Sequence, residues 1–187
     1  NYFSFLFFAL IKSLFLKKKI DVVITFASSP IFVGLIGILI SKIKECKSVI
    51  WVLDLWPQIL EELSIVKSRF ILNSIEKVAN YIYLNNDLIL TQSKSFKKII
   101  KKKIIKNKKK VVYFPSWADD IGYKKKISKK ILNNKINFLF TGNIGKAQNL
   151  GNLVKAVNLT KNIANQNWYF VGEGRYKREF IDLVNRN

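Results

Sequence analysis

The chain has 187 residues, 49% of them apolar, with 33 Lys and Arg against 12 Asp and Glu for a net charge of +21; it holds one cysteine and neither histidine nor methionine. That length and apolar content suit one large α/β domain or parts of two and exclude a wholly disordered tail. Cys46 alone cannot form an intrachain disulfide, and the missing histidine excludes Ser-His-Asp and Cys-His catalysis and His-ligated zinc.

From the amino terminus, residues 2–16 read as an apolar helix that carries Lys12, too short to span a bilayer and without the flanks of a signal peptide. A buried or interface-lying helix is the expectation, and no transmembrane helix is expected anywhere. Apolar runs of strand length follow at 20–26, 48–53, 87–91, 110–114, 136–141 and 168–171. Helical segments accompany them at 31–44, 69–84, 93–106, 150–163 and 176–184. The runs are continuously apolar rather than alternating, as in parallel strands covered on both faces, and the β-α alternation implies a doubly wound parallel sheet. Residues 1–115 read as one Rossmann-like unit, the polar, lysine-rich 116–135 as a linker, and 136–187 as the start of a second unit. Two β-α repeats cannot bury both faces of their strands, so the second domain is expected to continue past Asn187.

All three prolines, Pro30, Pro57 and Pro115, fall just after strands, at the carboxyl edge where doubly wound sheets bind ligands. Along that edge lie Ser28, Ser29, Asp54, Trp56, Thr91, Ser93, Ser116, Trp117, Gly142, Asn143, Gly172, Glu173 and Gly174. The segment Thr141-Gly142-Asn143-Ile144-Gly145-Lys146-Ala147-Gln148 joins a strand-like run to a helix-like one. Glycines there let backbone N–H groups approach an anion, the helix start adds unpaired donors and partial positive charge, and Lys146 adds a full charge. Such a turn either holds phosphate or simply reverses the chain. No Asp-x-Asp pair occurs, so a carboxylate-held Mg²⁺ or Mn²⁺ is not expected.

Between Lys94 and Lys135, 16 lysines face only Asp119 and Asp120. Either they are solvated surface in a Lys/Asn/Ile-biased sequence, or they draw the chain to an anionic membrane leaflet or nucleic acid. The basic helix 93–106 gathers Phe96, Ile99, Ile100, Ile104 and Ile105 largely on one side, which packs on the sheet and leaves lysines for headgroups. Aromatics are not interleaved with the run from Lys97 to Lys110, which argues against a single-strand nucleic-acid platform.

Three motifs together carry a family resemblance: Asp54-Leu55-Trp56-Pro57, Gly142-Asn143-Ile144-Gly145-Lys146-Ala147-Gln148, and Phe170-Val171-Gly172-Glu173-Gly174, each after a strand. With Asp21-Val22-Val23-Ile24, Ser28-Ser29-Pro30 and Phe114-Pro115-Ser116-Trp117-Ala118-Asp119, the chain resembles the family 4 glycosyltransferases of GT-B fold, in the branch of bacterial surface-polysaccharide and O-antigen amino-sugar transferases. Ser116 stands where the family usually has Asn, Asn149 where it usually has Gly, and Asn143 and Gln148 where many members have Arg and Lys.

The resemblance implies a metal-independent, retaining transferase without a cofactor. It would hold a nucleotide-diphosphate sugar, expected to be a UDP-sugar, mainly on its C-terminal domain and pass the sugar to a lipid-linked saccharide. The implied location is cytoplasmic, peripheral on the inner face of the cell membrane, with an anionic membrane surface as partner and no nucleic acid. Donor-binding residues would be Gly142, Asn143, Gly145, Lys146, Gln148, Gly172, Glu173 and Gly174. The acceptor side would use Ser28, Ser29, Asp54, Trp56, Ser93 and Trp117, with Asp54 and Lys146 the catalytic pair. The family's paired glutamates are expected beyond Asn187 and its N-terminal glycine-rich loop before Asn1, which makes the chain the middle of such an enzyme. The competing reading is a non-catalytic basic α/β module for membrane or nucleic acid. A nicotinamide-dependent enzyme is weaker still, because the turn lacks G-x-G-x-x-G and no acidic residue follows about 20 positions on.

Overall fold

The computed structural model describes residues 2–105, 110–117 and 135–186. Most of the segment read as a linker lies outside the described residues. The chain divides into two compact units, Asn1–Asp119 and Asp120–Asn187.

In the first unit, α1 (Tyr2–Leu14) leads into β1 (Val22–Ala27), α2 (Val33–Ile43), β2 (Lys47–Val52), the short α3 (Gln58–Glu62), α4 (Arg69–Asn85), β3 (Leu88–Thr91), α5 (Lys94–Lys103) and β4 (Lys110–Tyr113). The strands form one fully parallel sheet in the order β1-β2-β3-β4. The second unit has β5 (Ile136–Thr141), a single 3-10 turn at Lys146–Gln148, α6 (Leu150–Thr160), β6 (Gln166–Val171) and α7 (Lys177–Asn185), with β5 and β6 parallel. The α/β class with parallel strands is therefore as the sequence implies. The five-residue α3 and the 3-10 turn are additions, each too short to show a period.

The expectation of sheets covered on both faces does not hold among the described residues. Register aligns Thr25 with Ile50, Ala27 with Val52, Ile50 with Ile89, and Ile89 with Val111, all buried on one face. Against that face pack Ile38 of α2, Ala79, Ile82 and Tyr83 of α4, and Ile100 and Ile104 at α5. The opposite face carries Ile24 and Phe26, both exposed, and Val49, Trp51, Leu90 and Val112, half-buried. The strand order explains this: each crossover steps the same way, and right-handed connections that never reverse direction put every connecting helix on one side. Continuous apolarity shows that a strand avoids water, not which element covers it.

Two local devices set the helix–sheet distance. A Cβ on Gly37 of α2 would lie 1.9 Å from Thr25 Oγ1, so only glycine lets α2 sit this close to β1. Ser93 ends its loop in extended backbone, and its Oγ accepts from the Phe96 N–H at 3.0 Å, capping α5. In the second unit, Phe140 and Phe170 face Ile144, Leu150, Val154 and Phe180, which form a small core of their own. There too the other strand face, with Leu139, Tyr169 and Val171, is exposed.

Candidate nucleotide-diphosphate pocket

The carboxyl ends of β5 and β6 run into two glycine turns that are pressed backbone to backbone. The Gly142 N–H donates to the Val171 carbonyl at 3.0 Å, Ile144 N–H to Glu173 O at 2.7 Å, and Tyr176 N–H to Ile144 O at 3.1 Å. A Cβ on Gly172 would stand 1.8 Å from Gly142 O, and one on Gly174 would stand 2.1 Å from Ile144 O. Both glycines are thus required by close approach of main chain, which is a packing role. Gly142 has φ of +149°, a backbone that side-chain-bearing residues rarely adopt, although an added Cβ would meet nothing nearer than Phe140 Cζ at 3.9 Å. Asn149 takes the left-handed conformation at φ 49° and ψ 43°, which Asn tolerates best after Gly.

Stitching the turns together opens a cavity of about 570 Å³ beside them. Asn143, Gly145, Lys146, Ala147 and Gln148 line it from the first turn, and Arg175, Tyr176 and Glu179 from the second turn and the start of α7. Its size falls in the range of small-molecule sites. The N–H groups of Lys146 and Ala147 open a 3-10 turn, so no preceding carbonyl of that turn accepts from them. The Lys146 ammonium lies 6.0 Å from the Tyr176 ring centroid, a cation–π contact that holds the side chain over the second turn. Neither Lys146 nor Arg175 has an ion pair among the described residues. Two free cations and one carboxylate, Glu179, leave the cavity net positive and furnished with amide and guanidinium donors, which is chemistry for a phosphate group.

Of the donor-side residues read from the sequence, Asn143, Gly145, Lys146 and Gln148 converge on this cavity; Gly142, Gly172 and Gly174 shape the turns behind it. Glu173 does not line it: its carboxylate pairs with Lys177, one helical turn on. Arg175, Tyr176 and Glu179 escaped the sequence reading. The available signal was that Arg175 directly follows Gly174, so a turn that folds against the first one carries its next side chain into the same space.

The acceptor-side candidates lie on the first unit and do different things. Asp54 follows β2, half-buried, and its carboxylate makes no hydrogen bond or ion pair with the described residues; α3 is capped at Pro57 with no side-chain bond, so Asp54 is not its cap. Trp56 is buried in the core, edge-on to Phe32 at 5.7 Å, and its Nε1 donates to Ser29 Oγ at 3.0 Å. That packing takes the Trp56 ring out of the pool of free groups, while the exposed Ser29 hydroxyl accepts from it and keeps its own O–H to donate. The Ser93 hydroxyl oxygen accepts the bond that caps α5. Trp117 stacks on Trp51 at 5.6 Å with 16° between the planes, on the sheet face that no helix covers, and Trp51 Nε1 donates to the Phe114 carbonyl at 3.2 Å. Ser28 and Ser29 border an apolar cavity of about 500 Å³ between α1, β1 and α2.

Among the described residues no group of three or more His, Cys, Asp or Glu gathers as a metal cage, and no helix is long and apolar enough to cross a membrane. The chain matches no known family profile and no curated protein. Among solved structures it is similar to a chain of the "Glycosylation Associate Protein (Gap123) complex from Streptococcus agalactiae", at 12% identity and a TM-score of 0.45. That alignment covers 94% of this chain and 31% of the other, so the chain spans about a third of that protein's length.

Proposed function

We propose that this chain is part of a retaining, metal-independent glycosyltransferase of the GT-B, family 4 type. It takes a sugar from a nucleotide-diphosphate donor, with a UDP-sugar the first to try, and gives it to a lipid-linked saccharide during bacterial surface-polysaccharide synthesis on the inner face of the cell membrane. The observation that carries the reading is the cavity lined by Lys146 and Arg175, neither of them ion-paired among the described residues, beside a 3-10 turn whose first N–H groups have no acceptor within the turn.

In this reading the diphosphate sits against the turn. As the bond from sugar C1 to the β-phosphate oxygen breaks, charge grows on that oxygen, and the two cations and the backbone donors stabilise it in place of a divalent ion. A helix or turn N-terminus contributes on the order of 1 kcal/mol to an adjacent anion. Leaving-group departure needs more than that, so the side-chain cations supply most of the stabilisation. An acceptor hydroxyl forms the new bond to C1 as its proton passes to the departing phosphate oxygen, and Asp54, uncommitted at the end of β2, is the residue we assign to the acceptor.

Calorimetric titration of UDP and GDP tests the donor half. Saturable binding that changes little with salt is expected, with Lys146→Ala and Arg175→Ala each weakening it roughly 10- to 100-fold, the span of one charge-assisted hydrogen bond at about 1.5–3 kcal/mol. Nucleotide binding unaltered by both substitutions sinks the reading. If instead only DNA binds, with affinity falling steeply as salt rises, the chain is a basic binding module and its glycine turns are structural.

A further inference from the structure

The first helix has a surface that sugar transfer does not use. α1 buries Leu6 and Ser13 and is tied to its unit by the Tyr2 hydroxyl, which donates to the Pro30 carbonyl at 2.8 Å. The Lys44 ammonium donates to the Leu14 and Leu16 carbonyls at 3.3 and 2.8 Å, closing its end. Elsewhere on its circumference Phe3, Phe5, Phe7, Phe8 and Leu14 are exposed, as are Phe15 and Leu16 just past the last turn. With 3.6 residues per turn, Phe3, Phe7 and Leu14 fall on one stripe and Phe8 and Phe15 on a second about 100° round, with Ser4 and Ile11 between them. Phe3 and Phe15 are 78% exposed and Phe8 64%. Single apolar residues on a surface need no explanation, but this many rings on one short helix do.

Beside the rings stands a basic run. Lys12 is exposed on the helix, and Lys17, Lys18 and Lys19 follow it; of these four only Lys19 has an ion partner among the described residues, Asp21 at 3.9 Å. The 13-residue helix is about 20 Å long against a hydrocarbon core of about 30 Å, so it cannot span.

We propose that α1 lies in the plane of an anionic lipid surface, its phenylalanines among the upper acyl chains and Lys12, Lys17, Lys18 and Lys19 at the phosphates. Charge decides for lipid over a second copy of the chain: two copies meeting through α1 would bring their lysine runs together on molecules that each carry +21, whereas anionic headgroups neutralise them. The proposal extends the membrane part of the reading above and uses no residue of the nucleotide pocket. Lost lipid binding with nucleotide binding intact therefore counts against it alone, and the converse counts against the donor site alone.

Flotation of the purified chain with vesicles of phosphatidylcholine, with and without phosphatidylglycerol, tests it. Flotation with the anionic vesicles is expected; Phe7→Ser with Phe8→Ser should lower partitioning roughly tenfold or more, and Lys17→Glu with Lys18→Glu should abolish the anionic preference. Should those variants fail to fold, a second measurement decides: a polarity-sensitive dye on Phe8→Cys in a Cys46→Ser background should shift to the blue on anionic vesicles. An unshifted dye, a parent that stays with the buffer, or flotation indifferent to the phenylalanine pair overturns the proposal. So does a dimeric parent that the phenylalanine pair makes monomeric with no flotation by either, which assigns the stripe to a second copy.

Discussion

Asp87 shows how a single carboxylate sets register. Its Oδ2 accepts from the Ser48 N–H at 2.9 Å and the Ser48 hydroxyl at 3.3 Å, and Lys47 stands 3.4 Å from Oδ1, so one side chain clamps the starts of β2 and β3. The Ser48 N–H is the main reason its carboxyl titrates below the usual range; partial burial opposes the shift, and Lys47 adds to it. Because the folded value is lowered, this stabilisation is complete above the unfolded carboxylate pKa of about 4 and is lost as pH falls through the lower folded value. Asp87→Asn should flatten the stability-against-pH curve below about pH 4 by under about 1 kcal/mol, since the side chain is largely solvated. Denaturant unfolding at several pH values reads this, and a curve identical to the parent's would remove the clamp. At the same scale the sequence displayed Lys146 but not its partner. Arg175 is 29 positions on and joins Lys146 only because two turns fold against each other.

At the scale of elements the contrast between two glycines is instructive. Gly174 lies so near the Ile144 carbonyl that an added methyl meets backbone, which cannot yield without breaking the bonds from Ile144 N–H to Glu173 O and from Tyr176 N–H to Ile144 O. Gly174→Ala is expected to cost at least about 1–3 kcal/mol in the second unit and to weaken nucleotide binding, because it parts the turns that form the cavity. Gly37→Ala, which drives α2 off Thr25, should cost the first unit a similar amount and leave nucleotide affinity unchanged. Thermal melts with calorimetry separate the two, and equal loss of nucleotide binding in both would mean that the cavity does not depend on the stitched turns. Strand and helix positions were legible from apolar runs and their spacing. Faces were not, since the helices settle on one side of β1–β4 by the direction of their crossovers, a property of order in space rather than of composition.

For the whole molecule the dominant quantity is +21. Like charges at that density repel and lower the stability of the compact state. Raising ionic strength from about 0.01 M to about 0.15 M shortens the screening length from about 30 Å to about 8 Å. The Tm should accordingly rise by a few degrees over that range, and a constant or falling Tm would show that the lysines are spaced widely enough not to repel. Ion pairs among the described residues, such as Lys103 with Glu76 at 3.0 Å between α5 and α4, offset little of the excess.

The sequence alone determined the parallel α/β class, the absence of imidazole chemistry and the glycine turn at 141–148, because hydrophobic period, residue inventory and glycine spacing are local properties. Tertiary structure alone decided that Trp56 is packed in the core, that Ser93 caps α5, that Asp54 has no hydrogen-bond or ion-pair partner among the described residues, and that Arg175, Tyr176 and Glu179 share a cavity with Lys146. These outcomes depend on which surfaces meet across tens of residues, and a one-dimensional pattern holds no term for that.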